Sequence, residues 1–319
     1  MKKLLYLAIG KPALVDEAVP CCPPGGLLLR TIYSGVSNGT ERNQMLGGNY
    51  NISRVFPFRD VGYQTVSEVV DVSAGVRKFR KGDIVATGTS GTHAEYHTAP
   101  EDGLVVPLPS GFDLLVGAFV SVAAVALHIV RRAGVAAGER VLITGAGLIG
   151  QFALQWCKCA GAHVSVLSRT EPRTRLAEQL GADVVGFGDD GAQDRFLATH
   201  QRFAVVIETT GSATLLRKVI GENWGEGVFV RGCGRLAVVA GNWEVTYSCN
   251  AAQGAELALV HTNHFTLDEQ REVVDRVHHG ELKIRPLIRE IVPAVDIIRV
   301  YEALRDRPGE LLGTVIDWR

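Results

Sequence analysis

A glycine-rich turn carries the clearest chemical signal in the sequence. Gly145, Gly147 and Gly150 follow an apolar segment and open a segment with a helical pattern. In that setting the first glycine permits a tight turn, the second lets the backbone approach a pyrophosphate, and the third lets helix and strand pack closely. The helix N-terminus attracts the negative charge. We expect a dinucleotide site that also includes Leu148 and Ile149, the alternative being an ordinary strand-to-helix turn.

The end of the next predicted strand indicates which dinucleotide binds. A carboxylate about 20 residues after the glycines would hold the ribose 2′-hydroxyl of NAD. Ser168 and Arg169 stand there instead, and Arg173 follows shortly after them. A hydroxyl and guanidinium groups suit a 2′-phosphate, which a carboxylate would repel. We therefore expect NADP(H), unless these arginines merely form the solvated start of a helix.

The second half of the chain has the pattern needed to hold such a site. From Arg140 onward, apolar strand-like segments alternate with helical ones, which is typical of a parallel, doubly wound sheet in an α/β fold. The predicted strands are 141–144, 163–167, 183–186, 205–208, 236–240 and 257–261, and helices are predicted at 151–160 and 173–180.

The first hundred residues have a different texture, with short β segments separated by turns. Strands are predicted at 27–33, 65–72 and 83–87, and the apolar run 4–9 predicts a first or edge strand rather than a secretion signal. Helical periodicity is scarce before a long apolar helix at 114–133. A helix at 268–278 and a last strand at 313–317 return to this first domain.

Length and composition exclude several classes of function. The chain has 319 residues, enough for about two domains, and a formal net charge of −1, which argues against nucleic acid or a membrane surface as a partner. No apolar run approaches the roughly 20 residues of a membrane-spanning helix. The six cysteines include no C-x-x-C pair and no metal-site spacing. We expect a cytoplasmic protein with reduced thiols and a small-molecule substrate.

Several segments, taken in this order, resemble the medium-chain dehydrogenase/reductase superfamily, which contains the zinc alcohol dehydrogenases and their relatives. The segments are 34–41, 62–64, 67–72, 79–85, 91–96 and 206–211. The resemblance covers nearly the whole chain. It implies a GroES-like β-rich catalytic domain at 1–122 and 266–319, a Rossmann cofactor domain at 123–265, and a substrate cleft between the two.

The same resemblance implies further contacts. Cofactor would also contact Thr210, Gly211, Ala240 and Gly241. A homodimer is expected by analogy. Many relatives pair the strand equivalent to 257–261 of this chain with its copy across a two-fold axis.

The departures from the family pattern concern zinc. Relatives that use zinc place a cysteine where this chain has Ser37, a Gly-His-Glu triplet where it has 62–64, and usually a cysteine or an acid near Ser121. Hydroxyl side chains are poor zinc ligands. The four-cysteine lobe that binds structural zinc in relatives is missing as well. We therefore expect no catalytic metal.

Without zinc, hydrogen-bond donors must stabilise the charge that develops on a substrate oxygen. Tyr63 is the main candidate because a phenol can donate to an oxyanion and supply a proton. Ser37, Thr40 and Ser121 could bind the substrate oxygen or relay protons. The alternative for Tyr63 is a packed aromatic ring with a satisfied hydroxyl.

Two further residues complete the predicted catalytic set. Gln64 could orient one of the hydroxyls, and His93 lies where the resemblance puts the cleft wall. A histidine titrates in the useful pH range, although a structural histidine is the alternative. The segment 34–41 also resembles, at motif level, a zinc-lacking branch that includes hydroxyethyl bacteriochlorophyllide dehydrogenase, which favours secondary alcohol and ketone chemistry.

Three functions remain open at this point. The leading expectation is a metal-independent oxidoreductase that moves a hydride between NADP(H) and a carbonyl/secondary-alcohol substrate. The second is an NADPH-dependent reductase of an activated C=C or C=N bond, as in a quinone, an enone or an imine. The third is a catalytically inactive NADP(H)-binding sensor or scaffold.

Overall fold

The computed structural model describes residues 1–51, 55–230, 232–241 and 244–319. The chain divides into two compact units, the first formed by Met1–Ala124 with Phe265–Arg319 and the second by Val125–His264. Within the described ranges, no helix combines the length and the apolar character required to cross a bilayer.

The strands, in chain order, are β1 Lys2–Ala8, β2 Lys11–Asp16, β3 Gly26–Gly35, β4 Thr65–Val72, β5 Ile84–Thr87, β6 Tyr96–Pro100, β7 Val105–Pro107, β8 Arg140–Thr144, β9 His163–Ser168, β10 Val184–Phe187, β11 Val205–Glu208, β12 Arg235–Val238, β13 Ala258–His261, β14 Ile288–Pro293 and β15 Gly313–Asp317. The α-helices are α1 Asn38–Met45, α2 Leu114–Gly117, α3 Val120–Arg132, α4 Leu148–Cys159, α5 Glu171–Gln179, α6 Asp190–Thr199, α7 Ala213–Ile220, α8 Cys249–Ala255, α9 Leu267–His278 and α10 Ile297–Asp306.

The second unit is built on a six-stranded parallel sheet in the order β10-β9-β8-β11-β12-β13. Its central strands are apolar and buried almost throughout, as expected where helices cover both faces of a sheet. All six strands predicted for this region are present, within two residues at each end. Because the strands run in one direction, the turns that follow them share one side of the sheet, called here the carboxyl edge.

The first unit consists mainly of antiparallel strands. β1 and β2 form a hairpin, and a larger sheet has the order β14-β15-β3-β4-β5-β7, with β6 paired to β3. One apolar cluster joins the hairpin, β15 and α10, and two tyrosines and a tryptophan lie within it. Its buried members include Leu4, Tyr6, Val36, Met45, Val61, Val300, Tyr301, Leu304, Ile316 and Trp318.

The single helix predicted at 114–133 is wrong in one respect, because the structure has two helices there, α2 and α3. The amides of Ala118 and Phe119 bond to carbonyls three residues back rather than four, which tightens the chain and ends α2. Gly35 in β3 approaches this point so closely that an added Cβ would lie 2.2 Å from Ala118 O. The break therefore accommodates the strand beside it.

Helix α1 was not expected from the sequence, which predicts little helix before residue 114. Its residues are mostly polar and include Gly39, a poor helix former. Only Glu41 and Met45, one helical turn apart, are buried. Tertiary contacts of this one face stabilise the helix, and local sequence preference does not reveal them.

Candidate active site

The three glycines of the predicted cofactor turn have three different surroundings. Gly145 has φ +98°, and an added Cβ would lie 2.4 Å from Thr209 Oγ1. A Cβ on Gly150 would lie 1.9 Å from Gly145 O, so helix α4 packs tightly on the turn. A Cβ on Gly147 would meet nothing within 4 Å. Gly147, the N-cap residue of α4, therefore faces open space at the helix N-terminus.

The other predicted cofactor residues share the carboxyl edge with this turn. Leu148 and Ile149 form the first turn of α4, and Ser168 ends β9. Thr210 with Gly211 follows β11, and Ala240 with Gly241 follows β12. The strands β9, β8, β11 and β12 are consecutive neighbours in the sheet. The fold thus brings the predicted residues to adjacent turns.

One residue at this edge was missed by the sequence reasoning. Glu208 ends β11 with 1% of its surface exposed. Its carboxylate accepts hydrogen bonds from Thr210 N at 2.7 Å, from Gly211 N at 3.1 Å and from the Thr210 hydroxyl, and Thr144 Oγ1 lies at 3.4 Å. Glu208 therefore holds the turn after β11. The signal available in the sequence was an acid at the end of an otherwise apolar strand.

Arg169 and Arg173 lie close enough for their positive charges to interact. Burial lowers the pKa of Arg173, and repulsion from Arg169 lowers that pKa further. Gln151 in α4 donates to Arg173 O at 2.8 Å, which ties the start of α5 to the helix that follows the glycines. Arg175 is engaged differently, since it bonds to Glu171 Oε1 at 2.6 Å on the exposed face of α5.

In the first unit, three of the predicted catalytic hydroxyls come together. Ser37 Oγ lies 3.0 Å from Tyr63 OH, and the Tyr63 hydroxyl also bonds to the side chain of Thr40. Ser37 and Thr40 are supplied by the start of α1, whereas Tyr63 comes from the loop before β4. Burial raises the pKa of Tyr63, and the negative charge of Glu41 raises it further. The phenol therefore stays protonated and can act as a hydrogen-bond donor.

Ser121 and Gln64 are occupied by backbone groups. Ser121 Oγ donates to Thr87 O at 3.0 Å, and its side chain is buried. Gln64 Nε2 donates to Gly35 O at 3.2 Å, while its Oε1 accepts from Val122 N at 3.1 Å. These bonds connect β3, β5 and the start of α3. Both residues hold the local backbone, which differs from the substrate contact expected of Ser121 and the hydroxyl contact expected of Gln64.

The expectation for His93 needs a correction, because the residue does not line an accessible wall. Its side chain is fully buried, with Nδ1 2.7 Å from Ser34 Oγ and Nε2 3.2 Å from Glu41 Oε2. The ring also packs edge-on against Tyr301, at 5.9 Å between ring centroids. Both ring nitrogens are therefore engaged inside the first unit, and the side chain has no exposed surface.

The residues at the three positions that relatives use for zinc do not suit that metal. Ser37, Tyr63 and Ser121 carry hydroxyl groups that already bond to one another or to the backbone. Among the described residues, no group of three or more His, Cys, Asp or Glu side chains could hold a metal ion. No chemical step is therefore assigned to zinc.

Comparison with known proteins adds three findings. Residues 149–222 match a family model described as zinc-binding dehydrogenase. A zinc-type alcohol dehydrogenase-like protein of Escherichia coli K12 is 29% identical over 254 residues, covering 68% of this chain and 72% of that protein. (R,R)-butanediol dehydrogenase of Bacillus subtilis 168 is 28% identical over 237 residues, 63% of this chain and 68% of that enzyme.

A solved structure of a Sinorhizobium meliloti 1021 protein, described as a zinc-binding dehydrogenase bound to NADP, has a TM-score of 0.84 to this chain at 20% identity, with 99% of each chain covered. In sequence and in fold, the chain is similar to the zinc-type alcohol dehydrogenase-like medium-chain dehydrogenase/reductases. The chain is an oxidoreductase with a GroES-like and a Rossmann domain, as the sequence predicts. The matched segment 149–222 lies within the second unit, so it does not include Ser37, Tyr63 or Ser121.

The different surroundings of Gly147 and Gly150 generate a prediction. Gly147→Ala places a methyl group in open space, so the free energy of unfolding should change by less than about 1 kcal/mol. The same methyl group should obstruct a bound phosphate and weaken NADPH binding about tenfold or more. Gly150→Ala is the matched control, and its clash should reduce the free energy of unfolding by about 3 kcal/mol. Thermal unfolding and NADPH fluorescence titration measure both; native NADPH affinity in Gly147→Ala contradicts the assignment.

Proposed function

We propose that this protein is an NADP(H)-dependent, metal-independent oxidoreductase of a carbonyl/secondary-alcohol substrate. The observation that carries the proposal is the pairing of Ser37 Oγ and Tyr63 OH at 3.0 Å, at two positions where relatives carry zinc ligands. The relatives named above include an alcohol-oxidising enzyme, (R,R)-butanediol dehydrogenase. A hydroxyl cluster is suited to bind the oxygen that a zinc ion would otherwise polarise.

The choice of NADP(H) is supported by charge at the end of β9. Two neighbouring guanidinium groups, Arg169 and Arg173, interact unfavourably, and a 2′-phosphate bound beside them would relieve that repulsion. Ser168 adds a hydroxyl at the same strand end. Bound at the carboxyl edge, the nicotinamide cofactor would supply or accept the hydride.

The side chains of the first unit would bind and protonate the substrate oxygen. In the direction of reduction, the carbonyl carbon gains a hydride and its oxygen gains a proton. Tyr63 would donate a hydrogen bond to that oxygen and then its proton, and the Ser37 and Thr40 hydroxyls would relay a replacement proton from solvent to Tyr63. Because burial raises the pKa of Tyr63, a free phenolate is costly, so proton loss and proton return are expected to be coupled.

A homodimer is part of the proposal. β13 is the last strand of the parallel sheet, and its outer edge is unpaired within the described part of the chain. An edge strand of this kind can pair with its copy about a two-fold axis.

The preference for NADP(H) is testable with two arginine variants. Arg173→Ala removes a charge-assisted contact to the 2′-phosphate and should raise the Kd for NADPH by about 10- to 100-fold. The Kd for NADH, which lacks that phosphate, should change by less than about threefold. Arg175→Ala is the matched control, because Arg175 pairs with Glu171, and both affinities should stay native. Equal losses for both cofactors in Arg173→Ala would refute the assignment.

The reaction is tested by following NADPH oxidation with a panel of ketones, quinones and cyclic imines. We expect turnover with ketones, and a loss of about 100-fold in kcat in Tyr63→Phe with native NADPH affinity. Tyr33→Phe, a buried tyrosine on β3, serves as the control and should retain native kcat. Activity confined to quinones, enones or imines favours reduction of an activated double bond. Tight NADPH binding without any turnover favours a sensor or scaffold.

A further inference from the structure

Ser37 is placed like a helix cap but does not act as one. It is the N-cap residue of α1, where a serine side chain ordinarily accepts a hydrogen bond from an amide two or three residues later. Here the side chain makes no such bond. Its Oγ contacts Tyr63 OH instead. Since the Ser37 hydroxyl does not bond to the helix backbone, another contact must fix its position.

A buried carboxylate holds the backbone of Ser37. Glu41 Oε1 accepts from Ser37 N at 2.9 Å, while Glu41 N donates to Ser37 O at 2.9 Å. Both backbone polar groups of Ser37 are therefore bonded to a single residue. The Glu41 carboxylate is fully buried. Burial of an ionised group costs free energy unless hydrogen-bond donors or an opposite charge pair with it.

The second oxygen of this carboxylate lies at the end of a hydrogen-bond network. Tyr301 OH donates to Glu41 Oε2, and His93 Nε2 lies 3.2 Å from the same atom. Trp318 Nε1, which can only donate, bonds to Ser34 Oγ at 2.8 Å. The Ser34 hydroxyl can then give its own hydrogen to His93 Nδ1. With Nδ1 as the acceptor, the single ring N–H of the neutral imidazole is on Nε2 and is directed at Glu41.

His93 also contacts the loop that carries the partner hydroxyl. Gly62 has φ +81°, and an added Cβ would lie only 2.5 Å from His93 Cδ2. The imidazole therefore packs directly on the backbone of Gly62, the residue before Tyr63. Through its nitrogen His93 bonds to Glu41, and through its ring face it supports the Tyr63 loop.

We propose that Glu41 and His93 form a positioning pair that holds the Ser37 and Tyr63 hydroxyls against each other. Glu41 fixes the Ser37 backbone, and His93 fixes both the Glu41 carboxylate and the loop of Tyr63. Neither side chain contacts the substrate. This role rests on the proposed function, because it matters for turnover only if the two hydroxyls bind the reacting oxygen.

The test uses Glu41→Gln, which keeps the shape of the side chain but puts an amide group where the carboxylate accepts its bonds. Deuterium exchange in the segment around Ser37 should become faster, because the bond to Ser37 N weakens. Turnover should fall about tenfold or more, since displaced catalytic groups lose near-attack geometry, while the KM for NADPH should change by less than about twofold. Tyr301→Phe removes only one donor and should give a smaller loss in the same direction.

Two controls separate positioning from general destabilisation. Thr31→Val removes a buried hydroxyl that bonds to His97 Nδ1 at 3.2 Å in the same unit, and it should leave kcat native. In a Ser37→Ala background, Glu41→Gln should lower kcat by less than about twofold further, because the hydroxyl it positions is gone.

The two possible failures are distinguishable. Native exchange around Ser37 in both Glu41→Gln and Tyr301→Phe, or an undiminished effect of Glu41→Gln in the Ser37→Ala background, overturns the positioning role. Native kcat in Ser37→Ala itself contradicts the proposed function.

Discussion

A carboxylate removed from water must be matched by hydrogen-bond donors, and each unit of this chain has one such group at its candidate site. Glu41 is fully buried and accepts from the amide of Ser37. Glu208, with 1% exposure, accepts from the amides of Thr210 and Gly211. Leaving such a carboxylate without donors would cost on the order of several kcal/mol. The hydrogen bonds to these two carboxylates thus fix the backbone that carries the site residues.

The need of a buried carboxylate for donors explains how hydroxyl groups could replace a metal in binding the substrate oxygen. A zinc ion organises its ligands by coordination, whereas a serine and a tyrosine have only weak mutual attraction. In the proposed arrangement the Ser37 and Tyr63 hydroxyls are held in position by Glu41 and His93, both of which are fully buried. Low polarity around the network strengthens each of its hydrogen bonds. The same burial keeps Tyr63 protonated, as an oxyanion donor requires.

The sequence predicts the cofactor half of the molecule well because the relevant constraints are local. A Cβ on Gly150 would clash with the carbonyl oxygen of Gly145 in the same short turn, and alternation of apolar segments predicts the parallel sheet. The network around Glu41 has a different origin. Its partners His93 and Tyr301 are 52 and 260 residues away in the chain. No spacing rule could have shown that His93 is buried or that α1 is a helix.

In the proposed reaction, substrate oxygen is bound by hydroxyl groups and not by zinc. Metal analysis of the purified protein, combined with turnover before and after dialysis against a chelator, tests it most directly. We expect substoichiometric zinc and an unchanged kcat for ketone reduction with NADPH. Stoichiometric zinc whose removal abolishes turnover, and whose return restores it, would contradict binding of the oxygen by hydroxyl groups alone.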